Sequence, residues 1–397
     1  MYYVAVTYGP HAGEVFTVSN WSTVSIGRDP CRAIPLPRDR RCDLYHLDLI
    51  RRGDVLTIHQ RGTNPVMVEG VAIGSARLEL YSQVRIGRSW FRVETVPAGI
   101  PPQYEFVRPL GEGASGRVVL VRHRATGGQA ALKILKSGLD SASFGRFRRE
   151  TRLLEALPVH ANVARYLECG EHTGNPYYLQ EYIAGETLDH LVQKRDGRLP
   201  WPAVVVVFID VLRAIDHAHR ACVVHRDIKP QHIIVSCSDE GCRSVVTDFG
   251  FSKVCSSLAG HPDAHTQVTE FGEVPGTIAY LSPDLLARRP ASPQTDLFAI
   301  GASMFRALTG KYLYRFEAHR SNHEAVRRAD FRPFPVGATA IPGGVRRIVR
   351  RATATDPMDR FDTADDMLSE LLALHAADQV STASAWRLLR TGAGRPR

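Results

Sequence analysis

Charged side chains whose types could act together in catalysis stand at set intervals along this chain. "HRDIKPQH" carries Asp227 and Lys229 two residues apart, and "TDFG" follows with Asp248. "AALKIL" sets Lys133 among β-forming residues, and "LGEGASGRVVL" spaces Gly111, Gly113 and Gly116 ahead of Val118 as G-x-G-x-x-G-x-V. The chemistry asks for a carboxylate near an attacking hydroxyl, which Asp227 supplies, and for a cation beside the transferring group, which Lys229 supplies. It also asks for a hard oxygen ligand to hold Mg²⁺ against phosphates, which Asp248 supplies. The glycines let backbone approach phosphate without a Cβ in the way. By itself that spacing also marks dinucleotide folds, but those need a strand–loop–helix order, and here a strand and a Gly-Gly hairpin follow. Lys133 alone also reads as a snorkelling strand residue. Only six of the 50 basic residues are lysine, so each ammonium was kept where arginine was the easy alternative.

Two different patterns must position these groups. Residues 1–95 read as many short strands, among them "YYVAV", "EVFTV", "VLTIH", "VMVEG" and "FRVETV", separated by turn residues. That spacing predicts a β-sandwich. "VPAGIPPQ", residues 96–103, is Pro/Gly-rich and reads as a linker. From Tyr104 strands come first. A helix follows, with Phe144, Phe147, Thr151 and Leu154 on one face and Glu150 on its border, placed to be the counter-ion of Lys133. A largely helical half runs to about Ala376, and 377–397 reads as a basic, flexible tail. No internal repeat is found.

Composition excludes several classes. The longest apolar run, Ala203 to Ile209, is too short to span a bilayer, and the start has no secretory pattern. Seven scattered cysteines form no disulfide framework, so Cys237 and Cys242 are expected as free thiols in a reducing, cytoplasmic setting. The formal charge of +9 is spread as arginine along the chain, which argues against a nucleic-acid partner.

Residues 104–376, on these motifs, resemble a eukaryotic-type serine/threonine protein kinase. "GTIAYLSPDLL", the "SPQTDLFAIG" helix with Asp296, and "DPMDRF" add to the resemblance. It implies a bilobal α+β fold with a small lobe over 104–182 and a large lobe over 187–376. ATP with Mg²⁺ would be the cofactor and proteins the substrates. Val118, Ala131 and the gatekeeper Gln180 would line the nucleotide site. Glu181 to Ile183 would form the adenine-binding hinge. Thr277 would brace Asp227 and Lys229, and Arg360 would pair with Asp284, whose short side chain suggests a strained pairing. Because Arg226 precedes Asp227, the resemblance implies an activation segment ordered by phosphorylation, with Thr266 and Thr269 as candidate sites.

One position departs from the family. His232 stands where the family has a metal-binding asparagine. Imidazole suits transition ions better than Mg²⁺, so either activity is lowered with a preference for Mn²⁺, or the chain is a nucleotide-binding scaffold, a pseudokinase.

Residues 1–95 resemble a forkhead-associated (FHA) domain through "SIGRDPCRAIPLPRD", "GTNPVMVEG" and "RLELYSQVRIGRSWFRVE". The resemblance implies that Arg28, Thr63 and Asn64 read phosphothreonine, in partner proteins or in the chain's own activation segment. Asp43 and Leu44 depart from the family's serine and arginine, and a carboxylate at 43 is expected to repel phosphate. A docking module without phosphopeptide binding is the alternative. The sequence thus reads as multidomain: an all-β FHA-like sandwich followed by a kinase fold.

Overall fold

A computed structural model describes residues 2–18, 23–53, 55–113, 116–135, 151, 154–195, 197–239, 241–249, 277–287, 289–316, 321–335, 341–377 and 381–390. The chain divides into two compact units. One comprises 1–138 with 171–178, the other 139–170 with 179–397.

The first unit begins with eleven strands. These are β1 (Tyr2–Tyr8), β2 (Val15–Val18), β3 (Thr23–Gly27), β4 (Ile34–Pro35), β5 (Leu47–Arg52), β6 (Val55–Gln60), β7 (Val66–Val68), β8 (Val71–Ile73), β9 (Ser75–Leu78), β10 (Val84–Ile86) and β11 (Ser89–Thr95). They form a six-stranded sheet, β2-β1-β11-β10-β7-β8, and a five-stranded sheet, β4-β3-β5-β6-β9. Alternation explains the layering. In β11, Ser89, Phe91 and Val93 are buried, while Trp90 and Arg92 are not. Val4, Val6, Phe91 and Val93 of one sheet and Ile26, Leu47, Leu49 and Ile58 of the other share one core. Each such side chain stabilises the fold by roughly 1.5–3 kcal/mol.

The same unit continues with β12 (Tyr104–Gly113), β13 (Gly116–His123) and β14 (Gln129–Leu135). β16 (Asn175–Glu181) and β15 (Tyr166–His172), whose residues fall partly in the second unit, complete the sheet in the order β12-β13-β14-β16-β15. The stretch 96–103, which reads as a linker, is packed. Gly99 is buried at φ +92°, and a Cβ there would stand 2.9 Å from the Asn175 side chain. The Tyr104 and Arg124 amides donate to the Pro101 and Gln103 carbonyls. The Tyr3 and Phe106 rings lie 5.0 Å apart, so sandwich and sheet meet within one unit.

In the second unit, the helices are α1 (Leu188–Lys194), α2 (Trp201–Arg220), α3 (Pro283–Leu286), α4 (Pro293–Thr309), α5 (Asn322–Arg327), α6 (Gly343–Ala352), α7 (Ala364–Ala377) and α8 (Thr382–Arg390). β17 (Glu186–Thr187), β18 (Ile233–Ser238) and β19 (Gly241–Val246) make a small sheet. α2 is apolar nearly all round and correspondingly buried. α4 starts at a Ser292/Thr295 capping box and ends at Gly310, whose left-handed φ of +73° favours glycine. Among the described residues, no helix is long and apolar enough to cross a membrane.

Two expectations are corrected here. Cys237 and Cys242 are joined in a disulfide, because the β18–β19 register sets them directly opposite with Cα atoms 4.1 Å apart. Residues 382–390 of the expected flexible tail form α8, which packs on α2. Ala385, Trp386 and Leu389 are its buried face, and the Arg195 guanidinium donates to the Leu388 and Leu389 carbonyls. A short amphipathic run needs a receiving surface, which the sequence does not display. The Arg360–Asp284 pair closes at 2.6 Å despite the shorter acid.

Candidate active site

Asp227, Lys229, His232 and Asp248 meet at one end of the β18–β19 hairpin. Lys229 Nζ lies 2.9 and 3.2 Å from the two Asp227 carboxylate oxygens. His232 Nδ1 lies 2.8 Å from the Asp227 carbonyl oxygen, and its Nε2 lies 3.3 Å from Asp248 Oδ2. A carbonyl oxygen only accepts, so Nδ1 carries the proton, and Nε2 is the atom turned to the Asp248 carboxylate. Burial pushes the Asp227 carboxyl up, but the His232 and Lys229 charges and the Lys229 hydrogen bond outweigh it and hold it below the usual carboxylate range.

The loop is held from below by Asp296 of α4. Its carboxylate accepts from the His225 and Arg226 amides, both at 2.8 Å, and meets His219 Nε2 at 2.9 Å. His225 is fully buried. Its Nε2 donates to the Thr247 carbonyl, and its ring packs 4.5 Å from that of Phe249. The imidazole therefore ties the two segments that carry Asp227 and Asp248. Arg226 (φ +70°) and Asp248 (φ +62°) both hold left-handed backbone that costs non-glycine residues energy. Such strain persists only where surroundings enforce it, and it concentrates at functional sites. Gln180 is buried, and its Oε1 accepts from the Asp248 amide at 3.3 Å. Glu181 takes the Arg165 carbonyl through its amide, and Ile183 packs with Ala164 and Val245.

The remaining candidates belong to the first unit. β12 and β13 form a hairpin in which Gly113 faces Gly116, and Val118 faces Lys133 of β14. Gly111 and Gly113 have open space where a Cβ would stand, which leaves room for phosphate oxygens. At Gly116 a Cβ would fall 2.1 Å from the Ile134 carbonyl, so the close strand approach itself demands glycine. Lys133 is buried with Ala131, its Nζ 5.6 Å from the Tyr178 ring centre. Glu150, Thr266, Thr269 and the Thr277 side chain lie outside the described residues.

Sequence reasoning missed His219 and His225, whose only signal is their place beside a loop that Asp296 anchors. It also missed Asn162, whose side chain donates to the Ser244 carbonyl at 2.8 Å, and Asp210, which accepts from the Ser244 amide.

At the sandwich's loop end, Asp43 is engaged within the chain. Its carboxylate accepts from the Asn64 amide at 2.8 Å and from Asn64 Nδ2 at 2.6 Å. Arg28 is turned to the Cys42 carbonyl at 3.3 Å, and Thr63 is exposed. Of the three residues expected to take phosphate, Asn64 already holds a carboxylate of the same chain.

Comparison with known proteins gives a consistent answer. The family model described as "Protein kinase domain" matches residues 104–385. Over 284 residues the chain is 30% identical to the serine/threonine-protein kinase PrkC of Bacillus subtilis, covering 71% of this chain and 42% of that protein. Over 289 residues it is 29% identical to the serine/threonine-protein kinase PknB of Mycobacterium tuberculosis, covering 71% of this chain and 44% of that one. The crystal structure of the Mycobacterium tuberculosis PknI kinase domain superposes with a TM-score of 0.51 at 23% identity, over 70% of this chain and 99% of that one. The chain thus spans less than half the length of these curated relatives.

Proposed function

Because the chain belongs to the protein kinase domain family, we propose that it transfers the γ-phosphoryl group of ATP to serine or threonine hydroxyls of proteins. The observation that carries this reading is the grouping of two carboxylates, an ammonium and an imidazole on one strained loop pair. Asp227 would orient the substrate hydroxyl and take its proton, and Lys229 would offset charge on the moving group. The first unit's glycine hairpin and Lys133 would serve the nucleotide's phosphates. Asp248 and His232 would hold a divalent ion, which when bound neutralises phosphate charge. Catalysis of this type is positioning and electrostatics rather than covalent chemistry. Labelled ATP with Mg²⁺ or Mn²⁺ tests the reading. It fails if the purified chain takes up no nucleotide with either ion.

His232 favours a second reading, a nucleotide-binding scaffold, because one nitrogen replaces an oxygen donor beside Asp248. The two part on one variant. His232→Asn should raise Mg²⁺-dependent turnover by about tenfold, the scale on which groups around a metal alter its affinity, and should narrow any Mn²⁺ preference. Initial rates in each ion measure this. An active parent whose rates the change leaves alone has recruited another ligand.

The sandwich is proposed as an FHA-like docking module. Its two sheets of six and five strands support that, whereas the Asp43–Asn64 bonds speak against phosphothreonine as its present ligand. Asp43→Ser removes the competing carboxylate. It should turn negligible binding of phosphothreonine peptides into binding at least about tenfold tighter, a change equivalent to about 1.4 kcal/mol. Isothermal titration of both proteins decides it, and equal, undetectable heats would remove phosphate recognition from the account.

A further inference from the structure

The second unit contains a cavity of about 520 Å³ that the proposed chemistry does not use. It opens between the end of α4, the stretches 313–315 and 331–334, and the end of α6. Its floor is apolar: the Phe305 and Phe334 rings lie 5.1 Å apart, beside the buried Leu313 and Val349. Phe331 is half-buried at its edge.

The rim is cationic. Arg315, Arg332 and Arg350 all line it. Arg315 has Asp330 at 3.6 Å, a long pairing. Arg332 and Arg350 have no ion pair among the described residues. Nor does Arg346, one helical turn before Arg350 on the same side of α6. Guanidinium forks left in water beside a dry aromatic floor suit carboxylates that arrive next to an apolar side chain. The surface fits a bilayer poorly, because the apolar residues of α6, Val345, Ile348, Val349 and Ala352, are all turned inward. It also fits nucleic acid poorly, since the arginines ring a single hole instead of tracking along a groove.

We propose that this cavity docks an acidic peptide segment of a partner protein. One aromatic side chain of that segment enters against Phe305 and Phe334, and its flanking carboxylates pair with Arg332 and Arg350. The proposal stands apart from the phosphoryl-transfer reading, and its test needs no turnover. A dye-labelled peptide with one phenylalanine between aspartates and glutamates is titrated with the full chain by fluorescence anisotropy. Binding should weaken at least about tenfold in the double variant Arg332→Glu, Arg350→Glu, as buried anchors and their charged neighbours usually dictate. A similar loss should follow when the peptide's phenylalanine becomes alanine, a comparison made on the unmodified protein and so independent of how the variant folds. Equal affinity for the alanine peptide would reduce the effect to diffuse charge and overturn the proposal. So would undiminished binding to a folded double variant, or stronger binding of anionic vesicles or an oligonucleotide to the same arginines.

Discussion

Asp227→Asn should lower the rate of phosphoryl transfer by about 10²–10⁴-fold, the usual contribution of a positioned acid–base group, while leaving nucleotide affinity nearly unchanged. Asparagine keeps the shape of the side chain but cannot accept a proton, and it leaves Lys229, 2.9 Å away, without its counter-charge. Labelled-ATP turnover and a separate nucleotide titration measure the two effects. If turnover survives the change, another group takes the proton. If affinity falls with turnover, the residue acts through the loop's structure. The acid side of the profile has a definite sign. In the folded protein the Asp227 carboxyl is depressed, because the His232 and Lys229 charges overcome the upward push of burial. Its contribution to stability is therefore present above the unfolded carboxylate value and is lost as pH falls through the lower native value. The asparagine variant should lose that part of the acid sensitivity, which acid titration followed by tryptophan fluorescence would detect.

The legible part of this site was the part encoded by spacing. Asp227, Lys229 and Asp248 sit at intervals that only one chemistry uses in that order, and eight of the eleven short strands announced themselves through turn residues and alternation, whereas β4, β5 and β8 did not. Conformation was not legible. Nothing in "HRD" or "TDFG" says that Arg226 and Asp248 hold positive φ, since that backbone is imposed by Asp296 and His225 from elsewhere in the fold. Partner choice was equally hidden. In the sequence Asp43 reads as a charge with no visible partner; in the fold Gly62 stands beside it, where a Cβ would fall 2.0 Å from Asp43 Oδ2. Only with that space open can the carboxylate reach Asn64. Cys237 and Cys242 read as thiols by compartment, whereas hairpin register decides their pairing. α8 was missed for a related reason: a short amphipathic run folds only where α2 offers a surface, and that surface exists only once the chain has folded.

Arg360→Leu should destabilise the second unit by about 3–5 kcal/mol, the cost of leaving one partner of a buried ion pair alone. The Arg360 side chain is completely buried and Asp284 is 6% exposed. The guanidinium does more than neutralise the acid. Nη2 donates to Asp284 Oδ1 at 2.6 Å and to the Thr355 carbonyl, Nε to the Ala354 carbonyl, and Nη1 to the Gln294 carbonyl. One planar fork thus fastens α3, the start of α4 and the turn before α7. Lysine could not make four such bonds in three directions, so Arg360→Lys should recover little. Replacing Asp284 by leucine together with Arg360 removes the orphaned charge. The double variant should therefore lose less than the two single costs added, with a coupling of about 0.5–3 kcal/mol. Denaturant unfolding of the parent, the three single variants and the double variant, with hydrogen exchange of the α4 amides as a local readout, gives each quantity. A loss below about 1 kcal/mol for Arg360→Leu would mean that water or a neighbouring cation reaches Asp284. The fork would then not be what joins α3 to α4.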